Sequence, residues 1–169
     1  TVSDHKLTPD QEDSLKQIVE TLKAHSSRTY LLHGVTASGK TEVYVHAIRA
    51  CLEERRTAIC LVPEIALTVQ VRNYFRKRFG EEIVVVHSHM TPRERFNSWT
   101  RIRKGEAKIV LGPRSAIFAP LENLGLIIID EEQEDTYKQE ESPRYHAVQV
   151  ARWRAESEKA ILVLGSATP

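Results

Sequence analysis

The sequence predicts an α/β fold in which a mainly parallel sheet is covered by helices on both faces. Three observations carry this expectation. Six short β-rich runs (29–33, 58–62, 83–87, 108–112, 126–130 and 161–164) are mostly continuous in apolar residues rather than alternating, which is the pattern of strands buried on both faces. Stretches compatible with amphipathic helices separate them, and strand–helix alternation at this spacing builds an open parallel sheet. The chain has 169 residues, 41% of them hydrophobic and 28% charged, enough apolar material for one domain with a sizeable core.

The elements follow in order. The first helix opens with Thr8 as N-cap, Pro9 as its first residue and Gln11 as the capping-box partner. Leu15, Ile18, Val19 and Leu22 then recur at the i, i+3, i+4, i+7 spacing of a buried helical stripe. The run 29–33 leads through a glycine-containing loop into a helix-compatible stretch at 42–52. A second capping box, Thr91-Pro92-Arg93-Glu94, opens a helix that extends to about 104. Segment 72–104 holds nine Arg/Lys against three Glu, a net of +6, and two helices are expected to share those charges, mostly as solvated faces. Trp99 and Trp153 read as packing residues rather than stacking platforms.

Composition excludes several classes. Two cysteines, Cys51 and Cys60, build neither a disulfide framework nor a four-cysteine zinc site, and in apolar surroundings they read as core thiols of a reducing compartment. No apolar run approaches the roughly 20 residues of a membrane span. The net charge is +1, so any basic face must be local. The chain begins without Met and stops at Gly165-Ser166-Ala167-Thr168-Pro169, directly after an apolar run. Residues 1–169 are therefore expected to be a single domain cut from a longer protein.

In open parallel sheets, ligands bind beyond the carboxyl ends of the strands, and two motifs stand there. After the first run comes Gly34-Val35-Thr36-Ala37-Ser38-Gly39-Lys40-Thr41, a full match to G-x-x-x-x-G-K-[ST] between a strand and a helix. The chemistry requires these residue types. Glycines let the backbone close around phosphate oxygens, and the backbone N–H groups of Thr36 and Ser38 with the helix N-terminus bind the anion. Lys40 neutralises the outer phosphates, and the Thr41 hydroxyl ligates Mg2+. The run 126–129 passes directly into Asp130-Glu131-Glu132-Gln133, four apolar residues followed by a carboxylate pair. Asp130 is placed to hold Mg2+, and Glu131 to orient and polarise an attacking water. A carboxylate pair beside a metal stays ionised, because the cation favours the charged form.

Other stretches carry a resemblance: Leu7-Thr8-Pro9-Asp10-Gln11, Gly34 to Tyr44, Leu61-Val62-Pro63-Glu64-Ile65-Ala66-Leu67-Thr68, His87-Ser88, Gly112-Pro113-Arg114-Ser115-Ala116-Ile117-Phe118-Ala119-Pro120, Tyr137-Lys138-Gln139, Arg144-Tyr145-His146 and the final Ser166-Ala167-Thr168. Together they resemble the first RecA-like lobe of a superfamily 2 helicase, in particular of the PriA replication-restart family. The stretches after Pro63 and Arg114 are the most specific to that family. Two positions depart from its pattern. Gln133 stands where the family usually has His, and both side chains can hydrogen-bond. Pro113 stands where the family often has Thr, which removes one hydroxyl contact to a phosphate.

The resemblance implies a RecA-like P-loop lobe that binds ATP with Mg2+ and, in the longer parent, drives a DNA helicase at stalled forks. It implies that strand 161–164 lies between 30–32 and 126–129. Gln11 takes the position of an adenine-sensing glutamine, its capping-box role being the alternative. Pro63, Glu64, Thr68, Arg114 and Ser115 line a single-strand groove, with an ordinary surface arginine the alternative for Arg114. Segment 131–146 resembles an aromatic-rich loop that couples DNA to the ATP site. In it Tyr137 and Tyr145 stack on bases while Lys138 and Arg144 approach phosphates. Against this, residues 130–141 hold seven acids and one Lys, as a solvated acidic loop would. Gln133, Ser166 and Thr168 report hydrolysis. The implied partners are single-stranded and forked DNA, with primosome and single-strand-binding proteins for the parent, in a bacterial cytoplasm near the nucleoid. Two alternatives stay open: another superfamily 2 DNA translocase, of repair, branch migration or restriction, and a nucleotide-binding lobe without catalysis.

Overall fold

The computed structural model describes residues 7–33, 37–130, 138–139 and 145–166. Its centre is a six-stranded sheet in the order β1-β8-β5-β2-β4-β3, every neighbouring pair parallel. The strands are β1 (Arg28–His33), β2 (Thr57–Leu61), β3 (Ile83–Val85), β4 (Ile109–Gly112), β5 (Leu124–Ile129) and β8 (Ile161–Ser166). A separate antiparallel pair, β6 (Lys138–Gln139) and β7 (Tyr145–His146), lies between β5 and β8 in sequence. The helices are α1 (Pro9–Lys23), α2 (Ala37–Glu53), α3 (Val69–Phe79), α4 (Pro92–Arg103) and α5 (Ala147–Glu158).

The two expected faces are present, and strand parity separates them. Ala58, Cys60, Leu126, Ile128, Ile161 and Val163 pack with residues of α1, α2 and α3 into one core. Their sequence neighbours Ile59, Leu61, Ile127, Ile129, Leu162 and Leu164 pack with Ile102 of α4 and Ala147, Ala151 and Ala155 of α5 into the other. Alternate side chains of a strand point to opposite faces, so a continuous apolar run feeds both cores. Both capping boxes form as expected, at Thr8 with Gln11 and at Thr91 with Glu94. Cys51 and Cys60 are free and buried. Burial pushes the Cys51 thiol up to about 12 and raises that of Cys60 as well.

Four features differ from the expectations. Trp153 is not a packing residue: it is 71% exposed. The buried stripe of α5 consists of Ala147, Val148, Ala151 and Ala155, small residues that bring the helix close to the sheet, and Trp153 projects from another face. Trp99, by contrast, is partly buried against the second core. Strand β3 ends at Val85, two residues before the end of the expected run 83–87. Val86 still donates its N–H to the Leu111 carbonyl at 2.8 Å, and the chain then turns at His87. Strand β1, at the sheet edge, is mostly exposed, with Leu31 56% accessible. Finally, two short 3-10 turns, Glu64–Ala66 and Arg114–Phe118, follow β2 and β4.

Candidate nucleotide and nucleic-acid site

The carboxyl ends of the strands form one edge, because the parallel register aligns His33 with Ser166, Leu164 with Ile129, and Ile129 with Leu61. Asp130 continues the line by donating its N–H to the Leu61 carbonyl at 2.9 Å. Helix α2 starts at this edge, directly after β1 and residues 34–36. Gly34 and Thr36 lie outside the described residues. Gly39, Lys40 and Thr41 are the third to fifth residues of α2, close to the helix start, where unpaired backbone N–H groups and the helix dipole favour an anion.

Lys40 is buried. It is only 3% exposed, and its Nζ donates to Asp130 Oδ1 at 3.3 Å. The Tyr44 hydroxyl donates to the same oxygen at 2.6 Å. Lys40 and Tyr44 stand one helical turn apart, so one face of α2 presents both donors to the end of β5. A buried ammonium held by a carboxylate is a donor set suited to phosphate and a divalent cation: the lysine can pass to phosphate oxygens while the carboxylate takes the metal. Gly165 of β8 backs this contact, since a Cβ there would overlap the Tyr44 hydroxyl and lie 3.0 Å from Asp130 Oδ1.

Glu42, between Lys40 and Tyr44 on α2, is buried and faces α3. It accepts from the Tyr74 hydroxyl and from Arg78 Nη1 at 3.2 Å, and His46 Nε2 lies 3.6 Å away. This network fixes α3 against the phosphate-loop helix.

The second half of the edge carries a cleft of about 380 Å³. Pro63 and Glu64 after β2, His87 and Ser88 after β3, and Pro113, Arg114 and Ser115 after β4 line it together with Arg95 of α4. Four of the expected groove residues, Pro63, Glu64, Arg114 and Ser115, thus meet in one place. Glu64 is anchored there, accepting from the Ser88 N–H at 3.0 Å and the Ser88 hydroxyl at 2.7 Å. Burial pushes the Glu64 carboxyl up, but the two Ser88 bonds and the charges of His87 and His89 outweigh it and leave it below its ordinary value. His87 is lowered, by desolvation first and then by Arg72, with Glu64 opposing. The turn after β4 is held from behind by Arg154 of α5, which donates to the Ile117 carbonyl at 2.7 Å and pairs with Glu158 at 2.6 Å.

The remaining candidates are placed as follows. Thr68 is the N-cap of α3, its hydroxyl accepting from the Val71 N–H, and does not line the cleft. Gln11 accepts from the Thr8 N–H at 2.9 Å in its capping box. Ser166 is buried at the end of β8. Lys138 and Tyr145 lie in β6 and β7. The side chain of Ser38, and Glu131, Gln133, Tyr137, Arg144 and Thr168 altogether, fall outside the described residues. Sequence reasoning missed Tyr44 and Arg95. Tyr44 carries a usable signal, since it follows Lys40 by four residues in a helix; Arg95 is one of many arginines in a basic segment, and no local pattern distinguishes it.

Comparison with known proteins agrees with this geometry. The DEAD/DEAH box helicase family matches residues 8–169. The replication restart protein PriA of Bacillus subtilis is 52% identical over 163 residues, covering 96% of this chain and 20% of that protein. PriA of Synechocystis is 46% identical over 165 residues, 97% of this chain and 20% of that protein. The chain thus spans about a fifth of the length of these relatives. Among solved structures, the helicase domain of Pyrococcus furiosus Hef superposes with a TM-score of 0.62 at 25% identity, over 94% of this chain and 32% of that one. A hypothetical ATP-dependent RNA helicase from Sulfolobus tokodaii gives a TM-score of 0.68 at 20% identity, over 97% and 47%. With a RecA-like parallel sheet, a buried lysine at the head of α2 and a carboxylate at the end of β5, the chain belongs to the DEAD/DEAH box helicase family.

Proposed function

We propose that the chain is the first, ATP-binding lobe of a DNA helicase that acts in replication restart, cut from a longer protein that holds the second lobe. The observation that carries the reading is the buried Lys40–Asp130 pair, which joins the head of α2 to the end of β5. Gly34, Thr36, Ser38 and Gly39 would wrap the phosphates, Lys40 would neutralise them, and Gln11 would meet the adenine. Thr41 and Asp130 would hold Mg2+, which when bound supplies positive charge at the outer phosphate oxygens. Glu131 would orient the attacking water. The charge that develops on the transferred phosphoryl group is met in such motors by an arginine, worth about 10³–10⁵ in rate, and in this reading it comes from the second lobe.

The cleft lined by Pro63, Glu64, Arg114 and Ser115 supports single-stranded DNA as the partner. Its position on the same carboxyl edge, beside the Lys40–Asp130 pair, lets one lobe hold both. Thr68, Lys138, Arg144, Tyr137 and Tyr145 would extend that contact, and Gln133, Ser166 and Thr168 would connect it to the ATP site. Forked DNA, primosome and single-strand-binding proteins, and a place in the bacterial cytoplasm, belong to the same reading of the parent.

Two substitutions separate binding from chemistry. Lys40→Ala weakens Mg-ADP binding, measured by calorimetry, by about 2–3 kcal/mol, the scale of a lost charge-assisted contact. In the full-length parent, Glu131→Gln keeps ATP binding and lowers turnover by about 10² or more. Unchanged affinity in the first variant removes the nucleotide site from α2; unchanged turnover in the second removes the water-orienting role from Glu131.

A further inference from the structure

Among the described residues, Asp130 Oδ1 receives donors of two different kinds. One is a cation, Lys40 Nζ at 3.3 Å; the other is a neutral hydroxyl, that of Tyr44 at 2.6 Å. Both come from one face of α2, and the shorter contact is the neutral one. Tyr44 itself is 2% exposed, packed in the core between α2 and the sheet. Its ring reaches Asp130 through space that β8 leaves open: Gly165 is the residue that a side chain at this position would bring into collision with the Tyr44 hydroxyl. A tyrosine on the phosphate-loop helix, the aspartate at the end of β5 and a glycine one residue before Ser166 therefore form one contact.

The charges on the two donors assign them different tasks. Lys40 is the group that phosphate oxygens would attract, and a lysine drawn onto phosphate loosens its hold on Asp130. The aspartate side chain is 19% exposed, and a partly buried carboxylate that gives up an ammonium partner is held less firmly in one orientation. A hydroxyl donor holds the carboxylate in place without neutralising it, so the negative charge remains available to a cation.

We propose that Tyr44 is a positioning residue that keeps the Asp130 carboxylate oriented for a divalent metal once Lys40 has turned to the phosphates, and that Gly165 is the opening in β8 that admits it. This rests on the nucleotide-site reading given above. It predicts that metal affinity and metal-free nucleotide affinity separate. Mn2+ binding to the chain in saturating ADP, followed by electron paramagnetic resonance, weakens about tenfold or more in Tyr44→Phe, while ADP affinity in EDTA changes by less than about twofold. Phenylalanine keeps the ring and its packing, so a purely structural role would lower the melting temperature and leave the metal affinity unmoved.

Gly165→Ala supplies the second arm. It displaces the same hydroxyl and its Cβ also stands 3.0 Å from Asp130 Oδ1, so it weakens Mn2+ binding at least as much as Tyr44→Phe, and the two together weaken it by less than the product of the two factors, because contacting residues are not additive. The same cycle read on melting temperature without ligand shows a smaller loss from Gly165→Ala in the Tyr44→Phe background than in the unaltered chain. Mn2+ affinity retained in Tyr44→Phe, or effects of the two substitutions that simply multiply, overturns the proposal. Absence of metal-dependent ADP binding in the unaltered chain overturns the nucleotide-site reading as well, which distinguishes the two failures.

Discussion

His87 shows how a single side chain's surroundings set its chemistry. It sits where β3 has ended and the chain turns into the cleft, with Arg72, Arg76 and His89 as like charges and Glu64 as the opposing one. Desolvation and the arginines hold it below its ordinary value of 6.5. A proton therefore binds the folded form less readily than the unfolded one. The stability His87 contributes is complete above that ordinary value and is lost as pH falls through the lower, folded value. At neutral pH the ring is uncharged, so in the proposed function it would meet a nucleic acid as a hydrogen-bonding group and leave the positive charge of the cleft to Arg95 and Arg114. An NMR titration of the ring protons should give a midpoint below 6.5; Arg72→Ala should raise it and Glu64→Gln should lower it further. A midpoint at or above the ordinary value would contradict this account of the cleft.

Among the elements, α2 and α3 are joined by more than apolar packing. Buried Glu42 meets Tyr74 and the buried Arg78, with the more exposed His46 nearby, and Arg78 also stacks over the Tyr74 ring at 4.7 Å. Removing one partner of a buried pair leaves the other charge uncompensated, at about 3–5 kcal/mol. Glu42→Ala should therefore lower stability by about 3 kcal/mol in chemical denaturation, and Glu42→Gln, which keeps a hydrogen-bond acceptor, by clearly less. Equal losses would mean that shape rather than charge holds α3. The elements also show what the chain discloses locally. Strands β2, β4, β5 and β8 were readable because each feeds two cores and must be apolar throughout. The end of β3 was not, since Val86 is as buried as the strand residues before it and only the turn at His87 ends the pairing. Nor was the exposure of Trp153, which depends on α5 choosing alanines as its contact face. Lys40 and Asp130 were identifiable as motif residues, whereas the Tyr44 contact spans 86 positions and depends on a glycine in another strand.

For the whole molecule, the nucleotide edge and the cleft lie on one side of a rigid sheet. In the proposed two-lobe motor, such a unit supplies phosphate, metal and DNA contacts but not the opposing arginine, and hinge motion between lobes moves the strand. The 169-residue chain alone should then bind nucleotide weakly, show no DNA-stimulated phosphate release above its basal rate, and separate no strands of a forked duplex. Robust DNA-stimulated turnover by this chain, abolished by Lys40→Ala, would show that one lobe completes the site.

The strand order has a consequence for how the protein is made. Edge strand β1 has β8 as its sheet neighbour, with Arg28 opposite Ile161, and β8 also separates β1 from β5. Of the six sheet strands, a ribosome delivers β1 first and β8 last. Until Ile161–Ser166 emerges, the backbone groups of β1 and one side of β5 have no strand to bond, and the helices of both faces cover an incomplete floor. Such pairing across most of the chain is slow to form and leaves apolar surface open meanwhile. The segment to which the proposal gives a hydrolysis-sensing role is thus also the one whose arrival completes the sheet, so the strand bearing Ser166 is needed for folding before it could serve any motor.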